Sequence, residues 1–239
     1  MTGRAQPSAW RARLGSIAYR VIEQLLDPAQ TERYRAANAT LLAEADPGPR
    51  VVFIGDSMIE GWSGLEAVAP PGLRFVNRGV SGQTSGQILL RFADDAIALT
   101  PVAVVILAGA NDVRAVCGPR AAIGPAAQAR IARHVTAMVD IAQGRGIRVA
   151  IATLPPVRPG LAGARRSVAR RDPAVILGVN AWLRGFAAAR DCPLIDFHAA
   201  LVGDDGALDG RFTADGLHPN RAGHDRMAST LTTVLGRLW

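Results

Sequence analysis

Five short stretches of the chain are apolar almost throughout, and each is too short to be a typical helix: 50–55 (RVVFIG), 73–77 (LRFVN), 102–109 (VAVVILAG), 147–154 (IRVAIATL) and 192–197 (CPLIDF). Most are rich in Val and Ile, and their pattern predicts strands buried on both faces. Between them, 85–99 (SGQILLRFADDAIAL), 125–143 (PAAQARIARHVTAMVDIAQ) and 173–190 (PAVILGVNAWLRGFAAAR) repeat apolar residues at helical spacing. A last helix is predicted from about 219 to 238. Residues 9–45 predict two more helices, with Asp27 and Pro28 between them and ADPGP at 45–49 as a stop.

Strands without a polar face, alternating with helices, imply an α/β fold. It would have three layers, α/β/α, with a doubly wound, five-stranded parallel sheet joined by right-handed crossovers. The expected organisation is an N-terminal helical extension, 1–48, packed on a core domain, 49–239. Ligands of such sheets sit at the carboxyl ends of the strands. The residues that follow the strands are therefore the first candidates: Gly55-Asp56-Ser57, Asn77-Arg78-Gly79, Gly109-Ala110-Asn111-Asp112 and Leu154-Pro155-Pro156. After the fifth strand comes a polar loop running to DGLHPN, Asp215 to Asn220.

Composition narrows the chemistry. Every one of the 27 basic residues among the 239 is arginine, against 20 acids, giving a net charge of +7. The absence of lysine excludes a Walker phosphate loop, a Schiff-base lysine and a Ser-Lys dyad. The arginines are spread from Arg4 to Arg237, and the densest group, Arg165, Arg166, Arg170 and Arg171, lacks interleaved aromatics. This does not fit a nucleic-acid binder, and the group reads as a solvated face. Cys117 and Cys192 are far apart and have no metal-ligand spacing, so they read as free thiols, although one disulfide stays open. No clear signal peptide or transmembrane stretch is found, which predicts a soluble, cytoplasmic protein of undetermined oligomeric state.

Ser57 would stand at the exposed end of the first strand, at the start of a helical turn whose N–H groups favour developing negative charge. A serine hydroxyl needs a general base. Of the four histidines, His134 falls in a helical pattern, His198 just past the fifth strand and His224 in the last helix. Only His218 lies in a loop with an acid three residues earlier. In a tight turn Asp215 could then orient His218 through its Nδ1–H. Each residue also has a plainer reading: Ser57 as a helix cap, Gly79 as a turn glycine, Asn111 as a loop partner. Their convergence on one sheet edge favours catalysis. Asp56 and Asp112 are expected to brace their turns locally, and His198 and His224 to be structural rather than metal ligands.

With GDSM, NRGVSGQT, GAND and DGLHPN in that order from about Val51 to Arg226, the chain resembles the SGNH hydrolases, or GDSL esterases/lipases, and most closely their lysophospholipase L1-like or arylesterase-like branch. The resemblance implies a flavodoxin-like fold and a serine carboxylic ester hydrolase. It implies Ser57 as nucleophile, His218 as base, Asp215 as orienting acid, and an oxyanion hole from the Ser57 and Gly79 N–H groups and the Asn111 amide. No metal or organic cofactor is implied, and the partner is a small-molecule acyl ester. The expected activity is on small or short-chain acyl esters. The alternatives are a lysophospholipase or carbohydrate acetylesterase on the same site, and a catalytically silent, arginine-rich module for anionic ligands. Met58-Ile59 and Ala110 depart from the common family residues, and 157–176 matches no part of the family pattern.

Overall fold

A computed structural model of the chain describes residues 27–45, 48–114, 120–162, 164 and 168–237. The helix expected before Asp27 lies outside these residues, as do Cys117, Arg165 and Arg166. In chain order the elements are α1 (Arg35–Leu42), β1 (Arg50–Gly55), α2 (Ser57–Glu60), β2 (Arg74–Gly79), α3 (Ser85–Leu90), α4 (Phe92–Asp95), β3 (Ala103–Leu107) and α5 (Arg120–Gln143). They continue with β4 (Arg148–Ala152), α6 (Pro173–Ala189), β5 (Leu194–Ile195), α7 (Phe197–Leu201) and α8 (Arg221–Leu235).

The five strands form one parallel sheet in the order β2-β1-β3-β4-β5. Helices cover both of its faces. On one set of contacts α3 packs on α5 and α5 on α6, and elsewhere α7 packs on α8. Val51, Val52, Phe53 and Ile54 of β1 have no exposed surface, as their uninterrupted apolar run requires. The Phe53 ring packs against Phe75 at 4.8 Å and Trp62 at 6.1 Å, and Trp62 in turn meets Phe197 at 5.6 Å. On α8, His224, Met227, Leu231 and Leu235 recur every three or four residues as the buried face.

This strand order places the site. From β1 the chain turns to one side to form β2 and then to the other to form β3, so β1 and β3 flank the point where the winding reverses. A crevice opens there at the strand ends. Gly55 pairs with both Gly79 and Leu107, which brings the ends of β2, β1 and β3 level.

Three expectations shift in the structure. The second strand runs on to Gly79, so Asn77-Arg78-Gly79 is strand and not the loop after it. Only Leu194 and Ile195 of the fifth run are paired, and Phe197 already starts a helix. The helix expected over 85–99 breaks at Arg91 into α3, α4 and a turn of 3-10 helix. Arg91 is fully buried and donates to Gly55 O (2.9 Å), Arg78 O (2.8 Å), the Gln83 side chain (2.6 Å) and Asp95 (3.1 Å). A continuous helix is given up where this one guanidinium satisfies the carbonyls at the ends of β1 and β2.

Candidate active site

Ser57 follows β1 directly. Asp56 caps α2 by accepting the Met58 N–H at 3.0 Å, which turns the chain sharply and leaves Ser57 in the first helical turn. His218 and Asp215 come from the loop before α8. Thr213 Oγ1 donates to His218 O (2.9 Å) and accepts from Gly216 N (3.0 Å), closing the turn. Asp215 Oδ1 accepts the N–H groups of Leu217 (3.0 Å) and His218 (2.8 Å), while its Oδ2 lies 2.7 Å from His218 Nδ1. On the other side of the ring, His218 Nε2 is 3.1 Å from Ser57 Oγ. Three residues chosen from sequence thus form one hydrogen-bonded chain across 161 positions.

The electrostatics suit an anionic Asp215. Partial burial would raise its pKa, but the bonds from the His218 side chain and from the His218 and Leu217 N–H groups outweigh this and lower it to about 2. Asp56 behaves oppositely. It is fully buried, and desolvation raises its pKa to about 6, although the Met58 N–H and the nearby Arg171 charge work against that.

Among the described residues a cavity of about 380 Å³ opens beside Ser57 and His218, and Gly82, Asn111, Arg171 and His224 contribute to its wall. Asn111 is therefore where the sequence puts it, at the edge of the site. Its Nδ2 donates to Gln83 O at 3.0 Å and lies 3.3 Å from Asp56 Oδ2.

Gly79 requires a correction. It is not part of the cavity wall, and its N–H is committed to Asn77 Oδ1 at 2.9 Å. Its lack of a side chain serves packing instead, because a Cβ there would stand 2.0 Å from Glu60 N in α2. Gly82, three residues on, lines the cavity with φ +82°, a conformation that favours glycine. A Gly79→Ala substitution should push α2 off β2 and cost about 2 to 3 kcal/mol, lowering Tm by roughly 5 to 10 °C. Thermal melting by circular dichroism checks this, and an unchanged Tm would contradict the packing role.

Two other expectations are corrected. Asp112 does not brace only its own turn: it accepts Ser85 N (2.7 Å) and Ser85 Oγ (2.8 Å), and that hydroxyl also meets His134 Nδ1 at 2.9 Å. It thereby ties the loop after β3 to the start of α3. Arg171 is not part of a solvated face. Only 4% of it is exposed, and it donates from Nε to Ala110 O (2.9 Å) and from Nη2 to Asn111 Oδ1 (2.8 Å). Nothing in its arginine-rich surroundings marks it. The one local signal is its place just before Asp172 and Pro173, the N-cap and first residue of α6. His224 was also missed as a wall residue: its ring stacks on Trp62 at 6.3 Å, and Nδ1 lies 3.3 Å from Ser63 Oγ.

A model of the GDSL-like lipase/acylhydrolase family matches residues 53–226. No match is found among curated proteins. Of the solved structures, a Bacteroides fragilis NCTC 9343 protein assigned to the acylhydrolases is 31% identical with a TM-score of 0.75, over 88% of this chain and 98% of its own. A GDSL-like lipase of Bacteroides thetaiotaomicron VPI-5482 is 30% identical with a TM-score of 0.73, over 88% and 99%. A lipase/acylhydrolase of Enterococcus faecalis, 23% identical over 79% of this chain and 96% of its own, shares the fold with a TM-score of 0.62.

Proposed function

This chain belongs to the GDSL-like lipase/acylhydrolase family, and from that premise we propose that it is a serine esterase acting on small or short-chain acyl esters through a Ser57-His218-Asp215 triad. The observation that carries the reading is the unbroken hydrogen-bonded line from Ser57 Oγ through the His218 ring to Asp215 Oδ2.

In the reaction, His218 Nε2 takes the Ser57 proton as Oγ bonds to the ester carbonyl carbon. The carbonyl oxygen becomes an oxyanion, for which we assign the Ser57 N–H, the Gly82 N–H in place of that of Gly79, and Asn111 Nδ2 as donors. As the tetrahedral species collapses, the proton on His218 passes to the departing alkoxide, leaving an acyl-serine. Water then gives its proton to His218, attacks the acyl carbon, and frees the acid while Ser57 Oγ regains a proton. Anionic Asp215 stabilises the imidazolium at each stage.

The cavity volume supports a small substrate. The catalytically silent alternative is the weaker reading, since a passive arginine-rich surface gives no reason for the alignment of Ser57, His218 and Asp215. The test is a series of 4-nitrophenyl esters from acetate to hexadecanoate, together with mass mapping of a fluorophosphonate adduct. The adduct is expected on Ser57. The value of kcat/KM should be highest from acetate to butyrate and on the order of tenfold or more lower for long chains. A profile rising to hexadecanoate would replace the short-chain reading with the lysophospholipase one, and an adduct on another serine would overturn the site.

A further inference from the structure

We propose that Arg171 is a positioning residue for the oxyanion site, holding the Asn111 side-chain amide in the one orientation that presents its NH2 group to the reacting carbonyl oxygen. The inference rests on the esterase reading above.

The argument begins with what each group can do. An arginine only donates hydrogen bonds, so the Asn111 atom 2.8 Å from Arg171 Nη2 must be the acceptor Oδ1. The NH2 group of the same amide is then forced to the opposite side. There one N–H meets Gln83 O at 3.0 Å and the other Asp56 Oδ2 at 3.3 Å, so the substrate oxygen has to take over the second, longer bond. An amide turned by half a rotation would lose the Arg171 bond and set its Oδ1 against Gln83 O, so Arg171 and Gln83 O hold the same orientation. The turned amide would also face the developing oxyanion with a carbonyl oxygen, which repels it.

The hold is bidentate and rigid. From one planar guanidinium, Nε bonds to Ala110 O and Nη2 to Asn111 Oδ1, so the Asn111 side chain is fixed relative to the backbone just before it. The arginine is itself anchored. Its backbone N–H donates to Val168 O at 2.9 Å, its backbone pairs with that of Arg114 in an antiparallel bridge, and α6 starts immediately afterwards with Asp172 as cap. A hydrogen bond to the amide oxygen from a cation also polarises the amide and strengthens its N–H groups as donors. Finally, the fully buried Asp56 carboxyl lies next to the Asn111 amide, and an anion there opposes a second anion on the substrate. The Arg171 guanidinium supplies the opposing positive charge within the same buried cluster.

Because Arg171 also lines the cavity, direct contact with substrate is the competing role. A double-mutant cycle separates the two. Arg171→Met is expected to lower kcat on the order of 30-fold while KM changes less than about threefold, compared with roughly 100-fold or more for Asn111→Ala, which removes the donor itself. In the Asn111→Ala background the Arg171→Met change should cost less than about threefold, since there is no amide left to orient. Arg171→Lys, which keeps the charge but not the fork, should recover only part of kcat. An equal loss in both backgrounds, or a loss seen in KM alone, overturns the proposal. If Arg171→Met does not fold, as circular dichroism would reveal, Arg171→Lys is carried through the same cycle with the same criteria. If the wild-type protein turns over no ester and Ser57 takes no fluorophosphonate label, the esterase reading falls, and the proposal with it. Wild-type turnover with an additive cycle removes the proposal alone.

Discussion

Ser57→Ala is expected to lower kcat for 4-nitrophenyl acetate by about 10⁴-fold or more while leaving the protein folded. The loss is large because alanine removes the proposed nucleophile, so the acyl-enzyme route closes. What remains is hydrolysis by water assisted by the oxyanion donors. Folding should survive because, among the described residues, Ser57 Oγ pairs with His218 and with no buried backbone group, while the turn into α2 is held by Asp56. His218→Ala should cost a similar factor, and the double variant little more than either single one, since the two residues perform one step together. Steady-state kinetics with a melting curve on each variant is the check. A folded Ser57→Ala protein with wild-type turnover would remove the triad from consideration.

Asp215→Asn is expected to cost up to about 10⁴-fold in kcat. The substitution keeps the size of the side chain, but an amide NH2 facing His218 Nδ1 favours the tautomer with the proton on Nε2, where a base for Ser57 is needed. The pH dependence has two separate parts. The first is activity: Asp215, with its pKa lowered to about 2, stays anionic above about pH 4, so its own titration does not enter the wild-type rate there. The second part concerns stability. A folded-state pKa below the ordinary 3.8 means that the Asp215 contribution is fully present above about pH 4 and is lost as pH drops toward 2. The stability gap between wild type and Asp215→Asn should therefore close across that interval. Paired pH-rate profiles and acid-unfolding curves test both parts. Identical rates and profiles for the two proteins would reduce Asp215 to a turn-forming residue.

Much of this was legible in the chain because it depends on near neighbours. An uninterrupted run such as Val51 to Ile54 can be satisfied only between two covered faces, so the parallel sheet follows from the run and its flanking helices. The loop proposed to carry the base is equally local. Asp215 and His218 are three residues apart, and the turn that joins them is closed by Thr213 and Gly216 from the same stretch. Even Ser57, although 161 positions from His218, could be placed, since strand ends in such a sheet converge on one edge.

Other features depended on pairing across the fold. Whether Gly79 or Gly82 faces the cavity turns on where β2 ends, and that is set by its register with β1, which carries pairing as far as Gly55 opposite Gly79. Once Gly79 is strand, it is pressed against α2 and the loop begins only beyond it. The break at Arg91 and the reach of Asp112 to Ser85 likewise answer to carbonyl and N–H groups from distant segments.

The sequence by itself determined the layered α/β architecture and pointed to the edge of the candidate site and to Ser57, His218 and Asp215, because apolar runs, turn residues and an i, i+3 acid-histidine pair act over a few positions of chain. Only the tertiary structure decided which glycine reaches the cavity and that Arg171 is buried behind Asn111. Burial and hydrogen-bond partnership across 60 positions are properties of packed surfaces, and Arg171 differs from its exposed neighbour Arg170 only in the direction its side chain takes once α6 is docked.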